Sequence, residues 1–297
     1  MRPLTYTVVA LLLTSLTLPV SVAAPAETLD QQFIFGGQST AANITASDLS
    51  DLANLPSLVE DYTATWCENC VEVEHALDNI GENISLQQYH FHRAIGESQD
   101  PFGSVILDER WESLYGLRVP PTVVFNGTHK KVGRVAEQDS LEDDFTELAQ
   151  RDLVLGQGNT SFSWTPVTNT SGTIAWGLNI DQARLTNMSL SVSAWIVESS
   201  AEFEEGTNGQ GTYPHIVRDI VDLGDEFQGS TTLELPQAFD GNDLEVHLVY
   251  QVTVIVEENP EVPSTPEEDE SSALPAVSLI GAGMMVLLAA GLITRRD

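Results

Sequence analysis

Cys67 and Cys70 are the two cysteines of the chain, spaced C-x-x-C in Trp66-Cys67-Glu68-Asn69-Cys70. Thiols at this spacing can close a local disulfide ring and exchange it with other thiols. The apolar run 58–64 reads as a buried strand and 68–80 as a helix, so the pair falls where a strand turns into a helix. Free backbone N–H groups and the positive dipole end of that helix favour a thiolate at its start. Cys67, beside an exposed Trp66, is therefore the expected nucleophile, and Cys70, one turn into the helix, the resolving thiol. Zinc would need a second ligand pair, which the sequence lacks, and the six histidines are not spaced like a finger. His90 and His92 on one strand face, with His75 on the helix, could complete a copper site with the cysteines, but alternate strand residues share a face anyway. They read as ordinary surface histidines. Asp240, Asn242 and Asp243 offer oxygens for calcium, yet a hairpin turn explains them more simply. No cofactor and no metal ligand is expected.

The stretch from Asp61 through Thr65, Trp66 and Cys67 to Cys70 resembles the strand and active-site motif of the thioredoxin superfamily. The segment Tyr115-Gly116-Leu117-Arg118-Val119-Pro120-Pro121-Thr122 is similar to that family's cis-proline segment. The resemblance covers about residues 55 to 151. It implies that Asp61 is the buried acid that shuttles a proton to or from Cys70, and that Pro121 is the cis-proline opposite the disulfide, beside an open backbone edge for substrate chains. Glu68-Asn69 departs from the dipeptides usual in the family. Glu68, Glu72 and Glu74 all disfavour the Cys67 thiolate. His75 stands where a helix-kinking proline is common.

The elements that must position these residues read as alternating strands and helices: strands at 58–64 and 84–92, helices at 68–80 and 104–115, paired strands at 122–125 and 132–135, and a closing helix at 140–150. Beyond residue 155 the composition turns to Ser, Thr, Gly and Asn with six β-rich runs, ending at 244–256, as in a β-sandwich. The expected fold class is thus an α/β thioredoxin-like domain (31–152), then an all-β sandwich domain (156–256) and a C-terminal transmembrane helix. The pairing, and Tyr213-Pro214-His215-Ile216-Val217-Arg218, also loosely resemble bacterial outer-membrane proteins with a thioredoxin-like half, a likeness that implies an interaction module.

Both ends carry targeting patterns. Residues 1–26 read as a signal peptide, 257–273 as an acidic, proline-rich stalk, 274–294 as an uncharged transmembrane span and 295–297 as a cytoplasmic tail closed by Arg295 and Arg296. These imply a single-pass protein of the cell membrane with its domains outside. Six sequons, at Asn43, Asn83, Asn126, Asn159, Asn169 and Asn187, fit an exported glycoprotein. Acidic residues outnumber basic ones 44 to 12 over 297 residues, a formal charge of -32. A polyanionic nucleic acid is thereby excluded as a partner. The dense carboxylates resemble those of halophile surface proteins, where salt screens their repulsion.

The function expected from these readings is an anchored thiol-disulfide oxidoreductase acting on exported protein thiols and disulfides. The apolar span has no cysteine, so a separate membrane redox partner would have to recharge it. The alternative is a cell-surface binding or adhesion protein in which Cys67-Cys70 is a structural disulfide.

Overall fold

The computed structural model describes residues 23–94 and 99–255. In chain order the elements are β1 (Glu27–Thr28), β2 (Gln32–Ala41), β3 (Ala46–Asp51), β4 (Ser57–Thr63), α1 (Glu68–Gly81), β5 (Leu86–His92), α2 (Val105–Tyr115), β6 (Thr122–Phe125), β7 (His129–Val132), α3 (Leu141–Ala149), β8 (Gly158–Thr168), β9 (Ser171–Ile180), β10 (Met188–Glu202), β11 (Thr212–Gly224), β12 (Gln228–Glu234) and β13 (Leu244–Val254). Strands dominate, and three α-helices are found among the described residues. One sheet runs β1-β7-β6-β4-β5-β11-β10-β13-β2, and a second runs β12-β9-β8-β3.

This architecture corrects the expected fold class. An α/β thioredoxin-like domain followed by a separate sandwich requires two sheets divided near residue 155, whereas the nine-stranded sheet passes through that boundary. β11 lies parallel to β5 with Ile216 opposite His90. β2 pairs with β13, and β3 with β8, although both early strands fall in the range assigned to the α/β part. The described residues form a single compact unit. The physical reason is that β2 and β3 are short of alternating apolar residues, so only a distant partner makes them strands. Within β2, Gly36 has φ +120° opposite a register shift at Leu248/Val249, and a Cβ there would sit 2.6 Å from the Leu248 carbonyl oxygen. Glycine is what allows that bulge.

The expected transmembrane anchor and membrane localisation are corrected too. No helix among the described residues is long and apolar enough to cross a membrane. The longest, α1, has 14 residues, which is about 21 Å against a hydrocarbon core of about 30 Å. The signal sequence (apart from 23–26), the stalk, the span 274–294 and the cytoplasmic tail lie outside the described residues. Asn126 is buried, and its side-chain oxygen accepts from the Leu58 N–H at 2.8 Å, so this sequon is closed to a glycan. The second strand of the hairpin after β6 spans 129–132 rather than 132–135.

The sheet around β4 is covered on both faces. Alternation along β4 sends Leu58 and Tyr62 to the side of α2, where they join Trp111 and Tyr115, and Val59 to the side of α1 and α3, where it meets Val73, Leu77 and Phe145. On β5, Tyr89 and Phe91 belong to the α2 side, so His90 and His92 share the α1 side with Asp61 and Thr63. α3 is capped by the Ser140 side chain, which accepts from the Asp143 N–H, and has three acids in its first turn. A third core fills the space between the two sheets, built on Phe35, Trp164, Trp176, Leu248 and Tyr250.

Candidate redox site

Cys67 and Cys70 are joined in a disulfide, with Cα atoms 5.3 Å apart. Cys67 is the N-cap of α1 in extended conformation, and no side chain caps that helix. The Cys70 N–H donates to the Cys67 carbonyl at 3.2 Å, and no hydroxyl or carboxylate of the N-cap residue occupies the helix start. Cys67 is 6% exposed and Cys70 0%, packed with Ala64 and the partly buried Trp66. The Arg93 guanidinium lies 5.8 Å from the centre of the Trp66 ring. Trp66 is thus less open than the sequence suggested.

The turn that carries the motif is held at Thr65. Its N–H donates to Asp100 Oδ2 at 2.8 Å, and its carbonyl accepts from the Thr207 N–H at 2.9 Å, the Asn208 N–H at 3.1 Å and the Tyr213 hydroxyl at 3.3 Å. The loop between β10 and β11 therefore clamps the turn leading to Cys67. Asp100 also faces His92 Nδ1 at 3.0 Å and accepts from the Phe102 N–H at 3.0 Å. Burial pushes the Asp100 carboxyl up, but His92 and the two backbone donors outweigh it and hold it below the ordinary carboxylate range.

Asp61 is fully buried, and neither carboxylate oxygen has a hydrogen-bond partner. Burial, aided by the nearby Glu74, raises its pKa well above the usual value. Glu74 is itself tied to Thr63 Oγ1 at 2.6 Å and Gln210 Nε2 at 2.9 Å. Of the two other acids expected to oppose the Cys67 thiolate, Glu72 is bonded to Arg134 and Glu68 is exposed. Pro121 follows Pro120 through a cis bond at the entry to β6, and its carbonyl accepts from the Gly133 N–H at 2.8 Å.

His90 and His92 are 1% and 4% exposed, correcting their reading as surface residues, while His75 is exposed. Burial, with His215 and His92 nearby, lowers the His90 pKa well below its ordinary value. The Asp240 turn is structural: Asp240 Oδ2 accepts from the Glu202 N–H at 2.8 Å, and Asp243 Oδ2 from the Ser200 N–H at 3.0 Å. Sequence reasoning missed Asp100, Gln210 and Tyr213 as supports of the motif. Only Tyr213 lay in a segment singled out beforehand: Gln210 and Tyr213 make contacts across 136 and 148 positions and Asp100 across 35, separations that leave no spacing signal.

No family model matches the chain, and no curated protein matches it. Among solved structures it is similar to HBP35 of Porphyromonas gingivalis at 15% identity, over 75% of this chain and 81% of that one, with a TM-score of 0.45. It is also similar to a structural-genomics protein of Agrobacterium tumefaciens at 17% identity, over 68% of this chain and 95% of that one, with a TM-score of 0.41. At these scores neither likeness carries an argument about what the chain does.

Proposed function

We propose that the protein is a thiol-disulfide oxidoreductase working through Cys67 and Cys70 on protein thiols. The observation that carries this is the position of the disulfide: it closes over an uncapped helix N-terminus with Cys67 as the N-cap residue. That location favours the Cys67 thiolate of the reduced pair. The resemblance of the Asp61–Cys70 and Tyr115–Thr122 segments to the thioredoxin superfamily supports the same reading.

The reaction balances without a cofactor. A client thiolate attacks Cys67 Sγ, the Cys67–Cys70 bond breaks, and Cys70 leaves as a thiolate that takes up a proton. The second client thiol, deprotonated, then attacks the client sulfur of the mixed disulfide and releases the Cys67 thiolate. The client ends as a disulfide, and two electrons reside on the Cys67–Cys70 dithiol. Run backwards, the dithiol reduces a client. A separate redox partner must restore the starting state in either direction.

One observation favours the second reading, a binding protein with a structural disulfide: Cys67 is only 6% exposed. Trapping separates the two. In high salt, Cys70→Ser should accumulate mixed disulfides with disulfide-bearing client proteins, the Cys67 thiolate attacking the client disulfide and releasing one client thiol, and Cys67→Ser should not. No trapped species, together with no insulin reduction by the unmodified dithiol protein, would sink the oxidoreductase reading.

A further inference from the structure

Register and alternation bring three buried ligand-bearing side chains together beneath α1. Asp61 on β4 lies opposite His90 on β5, and both belong to the sheet face that α1 covers. Glu74 reaches down from the second turn of α1. One ligand atom from each of Asp61, Glu74 and His90 lies within 4.8 Å of the others. Their exposures are 0%, 4% and 1%.

Two carboxyl groups buried this close need either a shared proton or a compensating cation. Among the described residues neither Asp61 nor Glu74 takes part in an ion pair with a lysine or arginine. Both Asp61 oxygens are buried without any partner, an expensive arrangement in a protein interior. The other two members are already oriented. Thr63 and Gln210 each donate to one Glu74 oxygen, and His90 Nε2 lies 3.3 Å from Gln88 Oε1. Outer partners of this kind are what fix ligating carboxylates and imidazoles in metal sites. We propose that Asp61, Glu74 and His90 bind a divalent first-row transition-metal ion of the zinc type.

The donor set selects the class of ion. Calcium takes six to eight oxygens and magnesium holds its waters, whereas one imidazole with two carboxylates suits zinc, iron or manganese. Bonds of about 2.1 Å would place tetrahedral ligand atoms about 3.4 Å apart, so the cluster must contract somewhat. Asp61, with no hydrogen bond to break, is the side chain that can move. A cavity of about 390 Å³ lined by Glu74, His75, Asp78 and Gln210 offers a path in. The other carboxylate group, Glu198 with Asp240 and Asp243, differs in kind. Glu198 already accepts from the Phe239 and Asp240 N–H groups and has Arg218 at 3.5 Å.

The test uses the full chain with its disulfide intact, stripped with EDTA and titrated with Co²⁺ in high salt, where ions held loosely by surface carboxylates are screened. The expected result is one Co²⁺ per chain with the strong visible absorption of a low-coordinate site, displaced one for one by Zn²⁺. Asp61→Asn and His90→Gln should each remove the band, Gln88→Leu should weaken binding 10- to 100-fold, and Glu198→Gln should leave it unchanged. Zn²⁺ should raise the melting temperature of the parent protein and not that of Asp61→Asn, a nearly isosteric change that keeps the fold. The Cys67→Ser, Cys70→Ser double variant should retain the band. A band absent from the parent, unchanged in Asp61→Asn, or lost in the double cysteine variant would overturn the proposal, and none of these results bears on client trapping by Cys70→Ser.

Discussion

Truncation of Asp100 gives a quantitative check on how the motif is positioned. Its carboxylate holds the Thr65 N–H at 2.8 Å, the Phe102 N–H at 3.0 Å and His92 Nδ1 at 3.0 Å. Hydrogen bonds to a charged group contribute about 1.5–3 kcal/mol each, and a donor left buried without a partner costs about 1–3 kcal/mol. Thr65 is 1% exposed, so water cannot readily replace the lost acceptor. Asp100→Ala should therefore cost about 4 kcal/mol, and Asp100→Asn, which keeps one acceptor oxygen, about 2 kcal/mol. The native carboxyl is held below its ordinary pKa, so the folded state binds fewer protons than the unfolded one. Its stabilisation is complete above the unfolded value of about 4 and fades as pH falls through and below it. Urea unfolding of the disulfide-intact protein at fixed salt, from pH 3 to pH 7, reads both effects. An Asp100→Ala loss below about 1.5 kcal/mol, or a gap between parent and Asp100→Asn that does not narrow towards pH 3, would refute the reasoning.

Other outcomes follow from neighbouring features. With Glu68 beside it, the Cys67 thiol should titrate above about pH 5 when reduced, outside the strong-oxidant range; thiolate absorbance against pH reads this directly. Arg110 stacks 4.8 Å from the Trp195 ring centre and pairs at 2.7 Å with Glu60, which is fully buried. Arg110→Leu should cost about 3–5 kcal/mol by stranding that carboxylate, and adding Glu60→Leu should recover much of it in denaturant unfolding. Gly36→Ala should lose about 1–3 kcal/mol and speed amide exchange along β2 and β13; unchanged exchange would mean the bulge tolerates a Cβ.

The local elements of the first half were legible because their signals are local. β4 is legible from Leu58, Val59 and Tyr62, although the burial of Glu60 and Asp61 in it is not, and α1 and α3 follow from helical periodicity with acids in the first turn. The same sequence misassigned β2 and β3, since Gln32–Ala41 and Ala46–Asp51 are polar or glycine-rich and declare themselves only by pairing with β13 and β8. That error propagated into the fold class, because one continuous sheet cannot be seen from a change in composition.

What the sequence by itself determined is the disulfide pair: two cysteines at C-x-x-C spacing, at a strand-to-helix turn, in a chain with 44 acids and 12 bases. Spacing along a chain sets which atoms can form a small ring, and composition sets the field around it. Tertiary structure alone decided what surrounds that pair. Gln210 reaches Glu74 across 136 positions and Tyr213 reaches Thr65 across 148. Asp61 meets His90 because two strands adopt one register, and it meets Glu74 because one helix covers that face. Such contacts arise from packing between distant segments, which no local pattern encodes.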